Sequence, residues 1–83
     1  MEERRKLLRQ RVLKSAKIVY NRDHSVVDCM VRNISTNGAQ LSLPNTLGIP
    51  PRFDLRLEAD GQRLGCEVIW RHAQRIGVRF IGR

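Results

Sequence analysis

The feature that most constrains this fold is an alternation of apolar and polar residues, which turn signals interrupt about every ten residues. In the segment 53–58, Phe, Leu and Leu alternate with Asp, Arg and Glu. A period of two places every second side chain on the same face of a strand. Six segments have this character, and they predict strands at residues 14–20, 25–33, 39–43, 53–58, 64–71 and 76–80. The pattern favours an all-β fold, a six-stranded antiparallel β-barrel, because closure protects the edges of so small a sheet.

The segments between the predicted strands carry residues that favour turns. Asn37-Gly38 and Asp60-Gly61 are tight-turn signals, because glycine adopts a positive φ without penalty. All three prolines lie in the segment 44–51, which excludes a central strand there. The alternation predicts a core made of Val27, Cys29, Val31, Ala39, Leu41, Leu43, Phe53, Leu55, Leu57, Cys66, Val68, Trp70, Ile76, Val78 and Phe80.

Length and composition indicate one small domain. The chain has 83 residues, of which 41% are hydrophobic, and this suits a soluble globular protein. The N-terminus is charged and no long apolar stretch follows it, so we expect a cytoplasmic location with no secretory signal and no membrane insertion. Cys29 and Cys66 lie in alternating apolar stretches without metal-ligand spacing. We therefore expect two buried thiols rather than a disulfide or a metal site.

The positive charge is concentrated at the N-terminus. The net charge is +8 at pH 7, and residues 1–17 contribute +5 of it, with seven cations and two anions. Such a segment attracts phosphates through a long-range field that salt screens. Since its cations also repel one another, we predict a flexible basic arm, residues 1–13, that becomes ordered on an anion. Residues 14–83 then form the barrel domain.

Two short motifs carry groups suited to binding an anionic nucleotide. Arg5 and Arg9 lie four residues apart in the arm, and guanidinium groups match phosphate oxygens and guanine edges. Asn33, Ser35 and Gly38 lie where a predicted strand runs into a turn. Residues of these types can approach a ligand closely and hydrogen-bond it. The simpler interpretation is a solvated arm and an ordinary turn, because each motif alone is common.

Taken in order and with this separation, the two motifs resemble those of the PilZ domain family, the bacterial receptor modules for cyclic di-GMP. The family's Arg-x-x-x-Arg motif matches Arg5 and Arg9. Its Asp/Asn-x-Ser-x-x-Gly motif matches Asn33, Ser35 and Gly38. The end of the chain looks like the family's closing hairpin, so the resemblance covers essentially the whole sequence.

The resemblance implies a role for each motif residue. Arg5 and Arg9 would contact the phosphates and the guanine edges of cyclic di-GMP. Asn33 and Ser35 would hydrogen-bond the ligand from the barrel surface. Gly38 would allow the turn and a close approach.

The resemblance also implies a stoichiometry and an output. Arg4 directly precedes the first motif, and in this family an arginine there is associated with two stacked ligand molecules rather than one. The ordered arm would then change what an unidentified downstream protein contacts, with an output such as motility or exopolysaccharide synthesis. No cofactor besides this ligand is expected.

Two other functions stay open at this point. One is a small β-barrel that binds nucleic acid, a class that relies on exposed aromatic stacking platforms. Phe53, Trp70 and Phe80 fall on predicted inward faces, which disfavours that function. The other is a protein-interaction module with the PilZ fold and no ligand. We do not expect an enzyme, because the sequence suggests no nucleophile–base pair, paired carboxylates or metal cluster.

Overall fold

The computed structural model describes residues 10–81, with side chains from residue 13 onward, and this part of the chain folds into six strands. They are β1 (Gln10–Tyr20), β2 (Ser25–Ile34), β3 (Gly38–Ser42), β4 (Arg52–Leu57), β5 (Arg63–Arg71) and β6 (Arg75–Phe80). The strands form a closed barrel in which all neighbours are antiparallel. The predicted all-β, six-stranded barrel is confirmed. In the described range no helix is long and apolar enough to cross a membrane.

The first strand closes the barrel. β1 pairs with β2 along most of its length, from Gln10 opposite Ile34 to Tyr20 opposite Ser25. Its other side pairs with β4 over residues 16–19. The order of strands around the barrel is therefore β1-β2-β3-β6-β5-β4.

The residues that the alternation predicts for the core lie there, with one exception, and Ala16, Ile18 and Ile49 are buried with them. Burial of each aliphatic or aromatic side chain contributes about 1.5–3 kcal/mol, so these residues supply most of the stability of the fold. The predicted core residues that are buried, or that pack against buried neighbours, are Val27, Cys29, Val31, Ala39, Leu41, Leu43, Phe53, Leu55, Leu57, Cys66, Val68, Ile76, Val78 and Phe80.

Trp70 is the exception, and its predicted place in the core is wrong. Val68 pairs with Val78 but Trp70 pairs with Gly77, so β5 has one more residue than β6 at this point. The extra residue is Ile69, whose side chain is exposed. A bulge of this kind shifts the alternation by one residue. Trp70 therefore faces outward, and its indole lies on the barrel surface.

The start of β1 also differs from the prediction. The strand begins at Gln10 rather than Lys14, so residues 10–13 of the predicted arm belong to β1, and Gln10 and Arg11 pair with β2. The register shifts between Arg11 and Lys14, where β1 has one more residue than its partner. Adjacent apolar residues in this bulge interrupt the alternation, which is why the sequence pattern did not show the strand. The other five strands begin and end within one residue of the predicted positions.

Candidate functional site

One row of paired positions crosses five strands on the outside of the barrel. Arg11 of β1 lies opposite Asn33 of β2, and Asn33 lies opposite Gln40 of β3. Gln40 in turn lies opposite Gly77 of β6, and Gly77 opposite Trp70 of β5. We call these five positions the site row. Neighbouring strands lie roughly 4.8 Å apart, so the row spans about 19 Å of the surface.

Bulges on both sides of the site row determine which way its residues face. On one side, Arg32 is the extra residue of β2 between Val31 and Asn33. Val31 is buried, and simple alternation would have placed Asn33 in the core with it. The bulge turns Asn33 outward instead. On the other side, Ile69 is the extra residue of β5, and this second bulge turns Trp70 outward. Bulges commonly re-aim side chains beside binding sites in this way.

Asn33 is held by a neighbour in the site row. Its Nδ2 donates a hydrogen bond to Oε1 of Gln40 at 3.1 Å, and the pair is partly buried. An amide has two acceptor and two donor positions, so Oδ1 of Asn33 and the amino group of Gln40 keep capacity for a ligand. The predicted ligand residue Asn33 is therefore preoriented, and its carbonyl oxygen accepts no hydrogen bond from the side chains that the structure describes.

Ser35 stabilises the turn that follows β2. Its backbone N–H donates to the carbonyl oxygen of Gly38 at 2.9 Å. Its Oγ accepts hydrogen bonds from the backbone N–H groups of Asn37 at 3.2 Å and Gly38 at 3.3 Å. A serine hydroxyl in this position takes the place of a backbone acceptor and rigidifies the turn. Ser35 thus fixes the shape of the turn, and this structural role is independent of any contact with a ligand.

The predicted reason for Gly38, a positive φ in the turn, is wrong. The glycines with positive φ in the described chain are Gly48 and Gly61. A Cβ at Gly38 would instead overlap the carbonyl oxygen of Val78 and lie 3.1 Å from the Cα of Arg79. Close approach of two backbones is another common reason for glycine, whereas the sequence had predicted a close approach of the ligand. Gly38 lets the turn pack directly on β6.

Trp70 covers the backbone of β6 at the end of the site row. A Cβ at Gly77 would overlap atoms Nε1 and Cε2 of the indole and lie 2.8 Å from Cζ2. The His72 ring packs beside the indole, with centroids 5.0 Å apart and planes tilted by 46°. The indole is partly exposed, so it offers an aromatic surface to a ligand.

A cavity of about 220 Å³ lies between the turn and Trp70. Its walls combine an aromatic ring, an amide and backbone groups, which suits a flat heterocycle that stacks and accepts hydrogen bonds. The cavity is lined by Ile34, Ser35, Gly38, Ala39, Gln40, Ile69, Trp70 and Gly77.

Comparison with known proteins identifies the family. Residues 3–82 match the sequence model of the PilZ domain. The chain belongs to the PilZ domain family. PilZ domains are binding and regulatory modules, generally for cyclic di-GMP. This PilZ domain also shares its fold with a crystal structure described as the PilZ domain of CeSA from a cellulose synthesizing bacterium. The TM-score is 0.71 at 18% identity, over 90% of this chain and 81% of that one. A search of curated proteins found no match.

The PilZ domain brings together part of the predicted site. Asn33, Ser35 and Gly38 lie together at the end of the β2–β3 hairpin. Arg4, Arg5 and Arg9 lie outside the described residues. The described chain begins at Gln10, which pairs with Ile34, the residue between Asn33 and Ser35. At this end of the barrel the structure therefore brings together Gln10, Asn33, Ile34, Ser35 and Gly38.

The sequence did not predict two residues of the candidate site correctly: it missed one and misplaced the other. Gln40 was not singled out, although the hairpin register would have found it, since a turn at 35–38 places residue 40 opposite Asn33. Trp70 was assigned to the core. The signal that contradicts that assignment is Gly77, which lies opposite Trp70 and leaves room for a ring on the outer surface.

Proposed function

We propose that this PilZ domain binds cyclic di-GMP on the site row and signals through the ordering of its N-terminal arm, which changes its contacts with a partner protein. The observation that supports this most is the pairing of Gln10 with Ile34. Arg9 is covalently attached to Gln10, so their Cα atoms are about 3.8 Å apart. Arg5 is five residues from Gln10, within about 18 Å of extended chain. Both guanidinium groups are therefore within reach of the site row.

The site row offers complementary groups for each part of the ligand. The indole of Trp70 provides a stacking surface for a guanine, and the carbonyl oxygen of Asn33 can accept from the guanine amino group. Arg5 and Arg9 supply bidentate donors for phosphate oxygens or for guanine O6 and N7. Their planar groups can also stack on guanine, a contact of about 0.5–2 kcal/mol. We assign Arg4 to a second, stacked ligand molecule.

Ordering of the arm limits the affinity and produces the signal. Fixing the backbone costs about 1–2 kcal/mol per residue, so ordering the six residues from Arg4 to Arg9 that precede β1 costs roughly 6–12 kcal/mol. Hydrogen bonds to charged groups contribute about 1.5–3 kcal/mol each, so several must form together. Binding therefore depends on the complete Arg-x-x-x-Arg motif, and the ordered arm presents a new surface to a partner.

We place this receptor in the cytoplasm. Cys29 and Cys66 are buried free thiols, the form that a reducing compartment maintains. Burial raises the pKa of each thiol to about 12. The reactive thiolate is therefore disfavoured in the folded domain.

Calorimetric titration with cyclic di-GMP tests the proposal. The parent should bind at low-micromolar concentration and moderate ionic strength. Replacing both Arg5 and Arg9 with alanine should weaken binding about 100-fold, because two charged hydrogen bonds contribute about 3 kcal/mol together. The control, Lys6→Ala with Lys14→Ala, removes the same charge and should stay within about fivefold.

Two results would contradict the proposal. One is the absence of binding by the parent, and the other is an equal loss in the control pair. A molar ratio near two that falls to one in Arg4→Ala would support the role given to Arg4.

Nucleic-acid binding is the second candidate, because the outward position of Trp70 removes part of the argument against it. Trp70 is the single tryptophan of the chain, so its fluorescence reports on the site directly. Nucleic-acid binding is favoured if a single-stranded RNA decamer quenches this fluorescence with a steep salt dependence and cyclic di-GMP does not quench it. Saturable quenching by cyclic di-GMP at constant salt would favour the nucleotide receptor.

A further inference from the structure

A second and larger concavity lies on the outside of the barrel. Its volume is about 750 Å³, and it shares no lining residue with the cavity beside Trp70. A row of paired positions crosses it from Ser15 of β1 to Met30 of β2, Ser42 of β3 and Arg75 of β6. Arg32 also borders it. We call this concavity, with these five residues, the second groove.

The carboxylates beside the second groove are already paired. Asp28 and Glu58 lie 2.6 and 2.9 Å from Nζ of Lys17, which lies between them. Arg32 and Arg75 are exposed, and neither forms a salt bridge within residues 10–81. The second groove thus presents two guanidinium groups without a carboxylate partner in the described chain. Such groups are complementary to carboxylates, which they bind in bidentate geometry.

We propose that the second groove docks an acidic, extended segment of a partner protein, with carboxylates on Arg32 and Arg75 and an apolar side chain on Met30. Arg75 lies two strands away from Met30, roughly 10 Å, and Arg32 lies two residues along β2 from Met30, roughly 7 Å. The two arginine Cα atoms are then about 12 Å apart. Residues i and i+4 of an extended chain are about 13 Å apart, so two acidic residues at that spacing match the arginines.

Two further observations favour an acidic protein segment as the occupant. Met30 is partly buried in the middle of the row, and methionine adapts its shape to different apolar side chains. The chain as a whole carries a net charge of +8, which steers acidic partners towards it. This docking site is separate from the proposed nucleotide site and gives the receptor a place to hold its partner.

An NMR titration of the 83-residue chain, without cyclic di-GMP, tests this site. The probe is the peptide Ac-Glu-Ala-Leu-Ala-Glu-NH2, and its control has glutamine in place of both glutamates. We expect amide shift changes at residues 15–17, 28–32, 42–43 and 74–75 with the acidic peptide and none with the glutamine control. Arg32→Gln with Arg75→Gln should weaken binding about tenfold. Arg22→Gln with Arg56→Gln removes the same charge elsewhere and should leave binding within about twofold.

Three outcomes would overturn the docking site. The first is equal weakening in the two arginine pairs. The second is a set of shift changes confined to the site row. The third is an identical response to free glutamate at the same carboxylate concentration, which would show that no peptide is recognised. The amide spectrum of each variant reports whether it is folded. Because no nucleotide is present, a failed cyclic di-GMP titration and a failed peptide titration are separate results.

Discussion

The most demanding prediction concerns Gly38, because its role follows from a backbone contact rather than from a turn conformation. In Gly38→Ala the new methyl would overlap the carbonyl oxygen of Val78 and lie 3.1 Å from the Cα of Arg79. Both are backbone atoms, so no change of rotamer relieves the overlap. β3 must move away from β6, which stretches the 2.7 Å hydrogen bond from the N–H of Phe80 to the carbonyl of Asn37.

The expected loss is about 3 kcal/mol of unfolding free energy. Overpacking costs about 1–3 kcal/mol, and a rigid neighbour places this case at the upper end. A domain of this size has a total stability of roughly 4–12 kcal/mol. At about 4–8 °C per kcal/mol, the thermal midpoint should fall by roughly 12–24 °C.

Gly48→Ala is the matched control. Gly48 has a φ of 85° and no atom lies within 4 Å of a Cβ built there. That substitution carries only the conformational cost of a left-handed residue, about 1–2 kcal/mol. Thermal unfolding of the parent and both variants, followed by circular dichroism, gives the ranking. If Gly38→Ala unfolds at the same temperature as Gly48→Ala or above it, the contact with Val78 is not the reason for glycine at this position.

Three further predictions concern charge and titration. Asn33→Asp should bind cyclic di-GMP more tightly by calorimetry, because a carboxylate accepts stronger hydrogen bonds from guanine; equal or weaker binding would discard the idea. A hydrogen bond to Asp28 raises the pKa of Lys17 above its ordinary 10.5. The charged Lys17 therefore stabilises the fold fully below pH 10.5, and this stabilisation is lost as the pH rises through the folded-state pKa. Above pH 10.5 the urea midpoint of the parent should fall more steeply than that of Lys17→Met. Parallel curves for the two proteins would refute this. Burial raises the pKa of Cys29 and Cys66 to about 12, so at pH 8 a thiol reagent should label them only as the domain unfolds. Rapid labelling without urea would contradict this.

The sequence predicts most of the barrel because period two is a strong signal wherever one face of a strand is buried. Phe53, Leu55 and Leu57 alternate without interruption, and all three are buried. The signal fails where a bulge adds a residue, since one extra residue moves every following side chain to the other face. The bulge at Ile69 moved Trp70 outward. No local property of the sequence marks that insertion, because it depends on how β5 pairs with β6.

The candidate site was predictable to the extent that its motif lies on one hairpin. Asn33, Ser35 and Gly38 are brought together by a turn, which local residues determine. Gln40 follows from the register of that same hairpin, whereas Trp70 joins them only through the pairing of β3 with β6 and of β6 with β5. Such pairing depends on residues distant in the sequence, which a motif does not contain.

The way in which β1 closes the barrel has a consequence for solubility. Over residues 10–14 the described part of β1 pairs with β2 and not with β4. The backbone N–H and C=O groups on the other edge of this segment therefore have no partner strand within the described residues. An unpaired stretch of this kind is where a second copy can add and begin an aggregate. Lys14 lies within it, and its exposed cationic side chain repels a like-charged copy. Positive charge next to the proposed ligand site thus also keeps neighbouring molecules of the domain apart.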